Sequence, residues 1–250
     1  MSRFLKKTFV LGAVAGAALV AAPANAAVTI TGSGAGTALT TSGTSGGSAV
    51  LDFNGFVGSP AGVIAGLTAK LTLSFVSITS NMIGGNTFNF GYTLDNNASA
   101  PVTASRISRF GFDVNPDITS ASSTGVYNFA DMGGNQPNNV GAVEVCFKDT
   151  DNGGCTGGPG GLTLGQSGSG TLSLAFNSNQ TAITLSNFFT RYQSLDAPGI
   201  EGGSASGQVT TPSSPVPEPA AWMMMLVGFG AIGFALRKKR YNQTARVRFV

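Results

Sequence analysis

The middle of the chain alternates apolar and polar positions in short stretches bounded by Gly, Asn and Pro. In Leu67–Thr79 (LTAKLTLSFVSIT), Leu67, Ala69, Leu71, Leu73 and Phe75 fall on one face; Thr68, Lys70, Thr72 and Ser74 fall on the other. Successive side chains of a strand point to opposite faces, so this period of two predicts a half-buried β-strand. Ser48–Val57, Phe88–Tyr92, Ile107–Val114, Ala142–Phe147, Leu172–Phe176 and Ile183–Tyr192 repeat the pattern. Lys and Glu, both good helix formers, are scarce in this region. About seven to ten strands at this spacing, without helical periodicity, predict an all-β fold, an antiparallel β-sandwich of jelly-roll-like type. A β-solenoid would need a fixed repeat, and none is present.

The two ends follow different rules. Arg3, Lys6 and Lys7 precede an apolar run from Thr8 to Ala22, followed by Pro23-Ala24-Asn25-Ala26-Ala27. A basic start, an apolar stretch and small residues at a cleavage site predict a secretory signal peptide over residues 1–26, read through Ala24 and Ala26 and removed by signal peptidase. At the other end, Ala220 to Leu236 carries no formal charge, and Arg237-Lys238-Lys239-Arg240 follows. Such a run meets the lower limit for crossing a bilayer core of ~30 Å. The cations behind it cannot be buried cheaply and set the basic side inward. One C-terminal transmembrane helix over 220–236 is expected, with a cytoplasmic tail over 241–250. Between the domain, read as 27–201, and this tail lies GGSASGQVTTPSSPV. Its composition predicts a Gly/Ser/Pro linker over 202–216 that holds the domain off the membrane.

Pro217-Glu218-Pro219, Trp222, the glycine-bearing span and the Arg237–Arg240 cluster together resemble the PEP-CTERM protein-sorting signal in its PEPxxW variant. The resemblance covers residues 217–240. It implies recognition by a membrane protease/transpeptidase, an exosortase, and cutting near Pro217–Pro219. It also implies export in a Gram-negative bacterium, with release into, or attachment to, surface material such as exopolysaccharide or biofilm. Phe110-Gly111-Phe112-Asp113 and Glu144-Val145-Cys146-Phe147, with Cys155 and the Gly-rich stretch after it, are further similar to the cistern group of PEP-CTERM proteins.

Removing both ends changes the charge. The whole chain is +3. Residues 27–216 hold five Lys and Arg against ten Asp and Glu, a net of about −5. A nucleic-acid partner needs a basic face on the folded domain, so none is expected.

Cys146 and Cys155 are the two cysteines of an exported chain, and a disulfide between them is expected. The intervening Asp149-Thr150-Asp151-Asn152-Gly153-Gly154 is strong turn chemistry. Asp149 and Asp151 are the only candidate metal ligands worth naming. The EF-hand pattern fails, because Gly153 stands at position five and Gly160 at position twelve. An ordinary acidic turn is favoured, as at Asp113-x-Asn115-Pro116-Asp117. No cofactor is called for.

The chain contains no histidine, which excludes Ser-His-Asp and Cys-His catalysis and most zinc sites. A Ser-Lys hydrolase would have to use Lys70 or Lys148. No carboxylate pair is marked by a motif. Two functions follow: a non-catalytic surface or matrix protein that binds or packs with carbohydrate, or a secreted carboxylate-dependent polysaccharide hydrolase. For the first, Tyr92, Tyr127 and Tyr192 are the candidate contact aromatics, and the pattern allows each equally as a core or rim residue.

Overall fold

The computed structural model describes residues 27–31, 37–42, 46–58, 62–155, 158–213, 228–230 and 232. The expected signal peptide lies outside the described residues, as does the expected span apart from 228–230 and 232, which are helical. Among the described residues no helix is long and apolar enough to cross a membrane.

The alternating stretches become strands, and the domain is all-β. In chain order they are β1 (Ala27–Thr31), β2 (Ala38–Ser42), β3 (Ser48–Val57), β4 (Gly62–Ser80), β5 (Asn86–Asp95), β6 (Ala104–Asn115), β7 (Ser120–Ser123) and β8 (Phe129–Met132). Then follow β9 (Asn135–Gln136), β10 (Gly141–Ala142), β11 (Val145–Lys148), β12 (Leu162–Thr163), β13 (Ser167–Ala175), β14 (Ala182–Ala197) and β15 (Ile200–Ser213). Thirteen of them form one sheet in the order β7-β13-β5-β4-β3-β15-β14-β6-β11-β8, with β1, β2 and β12 attached; β9 and β10 pair separately. Every pairing on that path is antiparallel.

A two-sheet jelly roll is therefore not the arrangement. β15 pairs with β14 on one side and β3 on the other, so the hydrogen-bonded ladder is unbroken between the two halves. The sheet curls until its two edge strands, β7 and β8, meet. Segment 124–128 carries the chain across that meeting line. Its anchor is Tyr127, fully buried. The Tyr127 N–H donates to Tyr92 Oη (2.9 Å), and Tyr92 in turn donates to Thr124 O (3.1 Å). Tyr127 Oη donates to Ile107 O on β6 (2.7 Å). Strands far apart in the sheet thus face each other across a core rich in Phe. Phe110 has its ring centroid 5.4 Å from Tyr92, 5.3 Å from Tyr127 and 5.3 Å from Phe147. Each such ring contributes roughly 1.5–3 kcal/mol through burial, with a further ~0.5–1.5 kcal/mol for a well-oriented pair.

The expected linker is largely a strand. Ile200–Ser213 lies between two neighbours in the centre of the sheet, so the domain runs to Ser213 and not to 201. The composition misleads because small residues here serve packing. Ala205 and Val209 are buried. A Cβ on Gly207 would run into Thr190 Oγ1, and would come within 2.9 Å of Asn54 O and 3.0 Å of the Tyr192 ring. Only glycine lets β15 close against that layer. Gly207→Val should therefore destabilise the domain by about 3 kcal/mol or more, read as the urea midpoint. A flexible linker would tolerate the same change.

Candidate functional site

The outer surface of the sheet has two unlike halves. On the half formed by β11, β6 and β14, neighbouring positions in register place Lys148, Arg109 and Arg191 in one row, with Ser206 of β15 next to them. Arg106 lies on the same strand as Arg109. Four of the domain's five cations are thus gathered here. Each fastens a loop or neighbouring strand to the sheet. Arg106 Nη1 donates to Gly158 O (2.9 Å) and to Gly160 O, and its Nη2 donates to Gln193 Oε1. Arg109 Nε and Nη2 donate to Gln136 Oε1 (3.1 and 2.8 Å). Its Nη1 is buried without a partner. Burial, and then the charge of Arg191, push the Arg109 guanidinium down to about 10, which leaves it charged at neutral pH. Arg191 Nη2 donates to Ser204 Oγ.

Lys148 is buried and paired with Asp131. Its ammonium also donates to Asn152 Oδ1 (2.8 Å) and Gly154 O (2.7 Å). These are loop oxygens of the kind a bound calcium would draw on. The loop's cation is thus Lys148 itself. Asp151 is exposed, and Asp149 accepts from Thr150 Oγ1 (3.0 Å). Among the described residues no three acidic, Cys or His groups converge as a metal would require.

Cys146 and Cys155 form the expected disulfide, with Cα atoms 5.8 Å apart. Together with Val143 and Phe189 they make a small second core on the outer side of the sheet. Gly111 makes room for it: a Cβ there would strike Val145 O and the Phe189 ring. Asn187, with φ of 50°, shifts the side-chain alternation of β14. Phe188 consequently joins the main core while Phe189 joins the outer one. Closing a loop of nine residues by a disulfide contributes ~2.5–3 kcal/mol on chain-entropy reasoning.

The half formed by β3, β4, β5 and β13 is different. Its outward residues include Thr72, Ser74 and Ser77 on β4, Asn89 and Thr93 on β5, and Ser169, Thr171 and Ser173 on β13, all partly or wholly exposed, together with exposed Val76 and one charged row, Asp52, Lys70 and Asp95, at neighbouring register positions. Asn89 Nδ2 donates to Ser77 Oγ (3.3 Å) and Thr79 Oγ1 (3.2 Å), and Ser173 Oγ donates to Asn89 Oδ1 (2.8 Å). Beyond the charged row, the result is a ladder of hydroxyls and amides between β4, β5 and β13. Gly91 sits inside it, with open space where a Cβ would stand. Such a surface offers both donors and acceptors to sugar hydroxyls.

Tyr92, Tyr127 and Tyr192 are not contact aromatics. They are 3%, 0% and 0% exposed, and burial raises the pKa of each phenol. Sequence alternation did carry that signal at Tyr92, which shares parity with Phe88, Phe90 and Leu94; at Tyr192 it did not, because the shift at Asn187 reverses the parity set by Ile183 and Leu185. Lys70 is half-exposed on the polar face of β4. Glu144 accepts from Val114 N (2.9 Å) and Ile118 N (2.7 Å). Asp113 accepts from Glu144 N and Asn187 Nδ2. Both carboxylates therefore pin loops. Asp196 and Glu201 line a surface groove of about 460 Å³ with Pro101, Thr103, Ala197, Pro198 and Ile200. Asp196 Oδ1 there accepts from Gly202 N (2.7 Å).

Pro217, Glu218, Pro219, Trp222 and Arg237, Lys238, Lys239 and Arg240 lie outside the described residues, as do Ala24 and Ala26. What the structure fixes is where the chain departs for them: Ser213, at the end of a central strand. A closed β domain that leads straight into a C-terminal segment of Pro-Glu-Pro, apolar run and basic stop is built as an exported protein with a processing signal. A sequence model of the PEP-CTERM protein-sorting motif matches residues 215–240, and the chain carries that motif. This makes it a secreted protein sorted through an exosortase, with a membrane-anchored precursor. No curated protein and no solved structure matches the chain.

Lys148→Ala should cost about 3 kcal/mol, because it leaves Asp131, Asn152 Oδ1 and Gly154 O without their shared donor. The check is a urea midpoint together with faster proteolysis within 149–161. Glu144 yields a pH prediction. Burial raises its carboxyl pKa, the N–H groups of Ile118 and Val114 oppose this, and Asp117 and Asp113 add to it. An acid with a higher pKa when folded holds its proton more firmly in the native state. Stability then falls as pH rises from the ordinary carboxylate range through the raised value. Glu144→Gln should flatten that slope in midpoints measured from roughly pH 4 to 7.

Proposed function

We propose that the mature protein is a non-catalytic surface or extracellular-matrix component that contacts exopolysaccharide through the Ser/Thr/Asn face of β4, β5 and β13. Signal peptidase would remove residues 1–26, and an exosortase would cut near Pro217–Pro219. The single observation that carries the reading is the position of Ser213. The sorting motif begins at residue 215, just past the last central strand, so cutting at Pro-Glu-Pro removes the apolar tail and leaves every strand in place. The domain's low charge and its neutral hydroxyl ladder support contact with an uncharged, hydroxyl-rich polymer.

The competing reading is a carboxylate-dependent polysaccharide hydrolase. It rests on Asp196 and Glu201 sharing one groove. Against it stands the hydrogen bond that ties Asp196 to the backbone of Gly202.

Intact mass and C-terminal peptide mapping of the protein from its native host should give a chain from Ala27 to between Pro217 and Pro219. A chain still carrying Trp222 to Val250 would reject processing. The processed protein should bind the host's exopolysaccharide, and Thr72→Glu or Ser169→Glu, each made singly, should weaken that binding about tenfold or more while the unfolding midpoint shows that the domain stays folded. Release of reducing sugar that Asp196→Asn abolishes would establish the hydrolase instead.

A further inference from the structure

The exit of β15 decides how the domain meets the membrane. Ser213 stands opposite Val50 of β3, and Val50 stands opposite Thr72 of β4. β15 and β4 are both antiparallel to β3, so they run in the same direction. β4 does not stop at Thr72. It continues to Ser80 and turns through 81–85 into β5. The hairpin therefore projects past the point where the chain leaves the sheet, and on the same side.

Two lengths can be compared. From Thr72 to Met82 the strand covers ~33 Å at ~3.3 Å per residue, and about 25 Å after a strand tilt of ~40°. Residues 214–219 separate Ser213 from the apolar run that opens at Ala220. These few residues reach at most ~25 Å fully extended. The headgroup layer adds ~5–7 Å outside the hydrocarbon. The leash is thus no longer than the projection, and the hairpin tip reaches the headgroups.

The tip is built to stay in shape. Asn81 Oδ1 accepts from Ile83 N (3.2 Å) and Gly85 N (2.9 Å), and Asn81 Nδ2 donates to Asn86 O (3.1 Å) and Phe176 O (2.8 Å). Gly84, with φ of 87°, completes the turn in open space. This tied turn presents Met82, fully exposed, and Ile83, 62% exposed. Single exposed apolar residues are ordinary on a protein surface. Two adjacent ones on a fixed turn, at the end that a short leash draws to a bilayer, have a partner within reach.

We propose that the 81–85 turn is a membrane-contact tip. In the anchored precursor, Met82 and Ile83 enter the headgroup–acyl boundary of the bilayer that holds the chain's own C-terminal span. This rests on the anchoring by 220–236 adopted above. It makes the domain stand on its hairpin at a fixed height, with the Pro-Glu-Pro site beside the bilayer surface.

The test uses the full chain in phosphatidylethanolamine/phosphatidylglycerol vesicles. The domain's two native cysteines are joined, so an added one can be labelled selectively. An environment-sensitive fluorophore is placed at Met82→Cys, at Ile83→Cys, and at Glu201→Cys in the opposite turn. The single tryptophan, Trp222, reports the span. Shallow spin-labelled lipids should quench positions 82 and 83 several-fold more than 201. Inserting about twelve Gly/Ser residues after Ser213 should bring them down to the level of 201. Equal, weak quenching at 82, 83 and 201, with Trp222 still quenched by lipid, overturns the tip and leaves anchoring intact. Quenching at 82 that the insertion leaves unchanged overturns the short leash as its cause. An unquenched Trp222 overturns anchoring, and the tip with it.

Discussion

The closure of the sheet depends on two phenols. A thirteen-stranded sheet has two edges with unpaired backbone groups, and such edges invite pairing with other chains. Here the edges are brought together, and the strap across them is held by Tyr92 and Tyr127, whose hydrogen bonds tie β5, the strap and β6. Both hydroxyls act in a dry interior, where a satisfied hydrogen bond is worth keeping and an unsatisfied one is expensive. Phe110 fills the space between the two rings, so the polar closure and the apolar core are one construction.

Given closure, the distribution of charge follows. The domain has few cations, and it concentrates them where loops must be fixed to the outside of the sheet. Arg106, Arg109 and Lys148 bind carbonyl and amide oxygens of the segments that cover β6 and β11. The disulfide and Phe189 supply the apolar part of the same cover. The other half of the outer surface is uncovered and mostly hydroxylated, with its charges confined to the Asp52–Lys70–Asp95 row. One face is thereby committed to stability, and the other is available for contact.

Closure also ties fold to processing. The last strand is central, not peripheral, because β15 joins the two halves of the sheet. The proposed cut at Pro-Glu-Pro would fall beyond a finished domain, whereas loss of the strand itself would open the ladder between β14 and β3. In the proposed anchored precursor, the same position shortens the tether and draws one end of the domain towards the lipid.

The strands, their apolar faces and the pairing of Cys146 with Cys155 were legible in the sequence, because period-two alternation and cysteine count are local properties. The sorting signal was legible too, since a protease reads a short linear segment. Other features were not. Residues 202–213 have the composition of a linker and became a strand, because only the neighbouring Thr190 and Tyr192 explain why glycine is needed at 207. The sequence leaves Tyr127 open between surface contact and core, and the meeting of distant edges buries it. Lys148 and the Asp149–Gly154 turn looked like separate features until folding placed the ammonium among the loop's oxygens. The sequence by itself determined that the chain makes antiparallel strands and carries an export signal. Tertiary structure alone decided which strand is central, which charges are buried and which face stays open, because these depend on neighbours far apart in the chain.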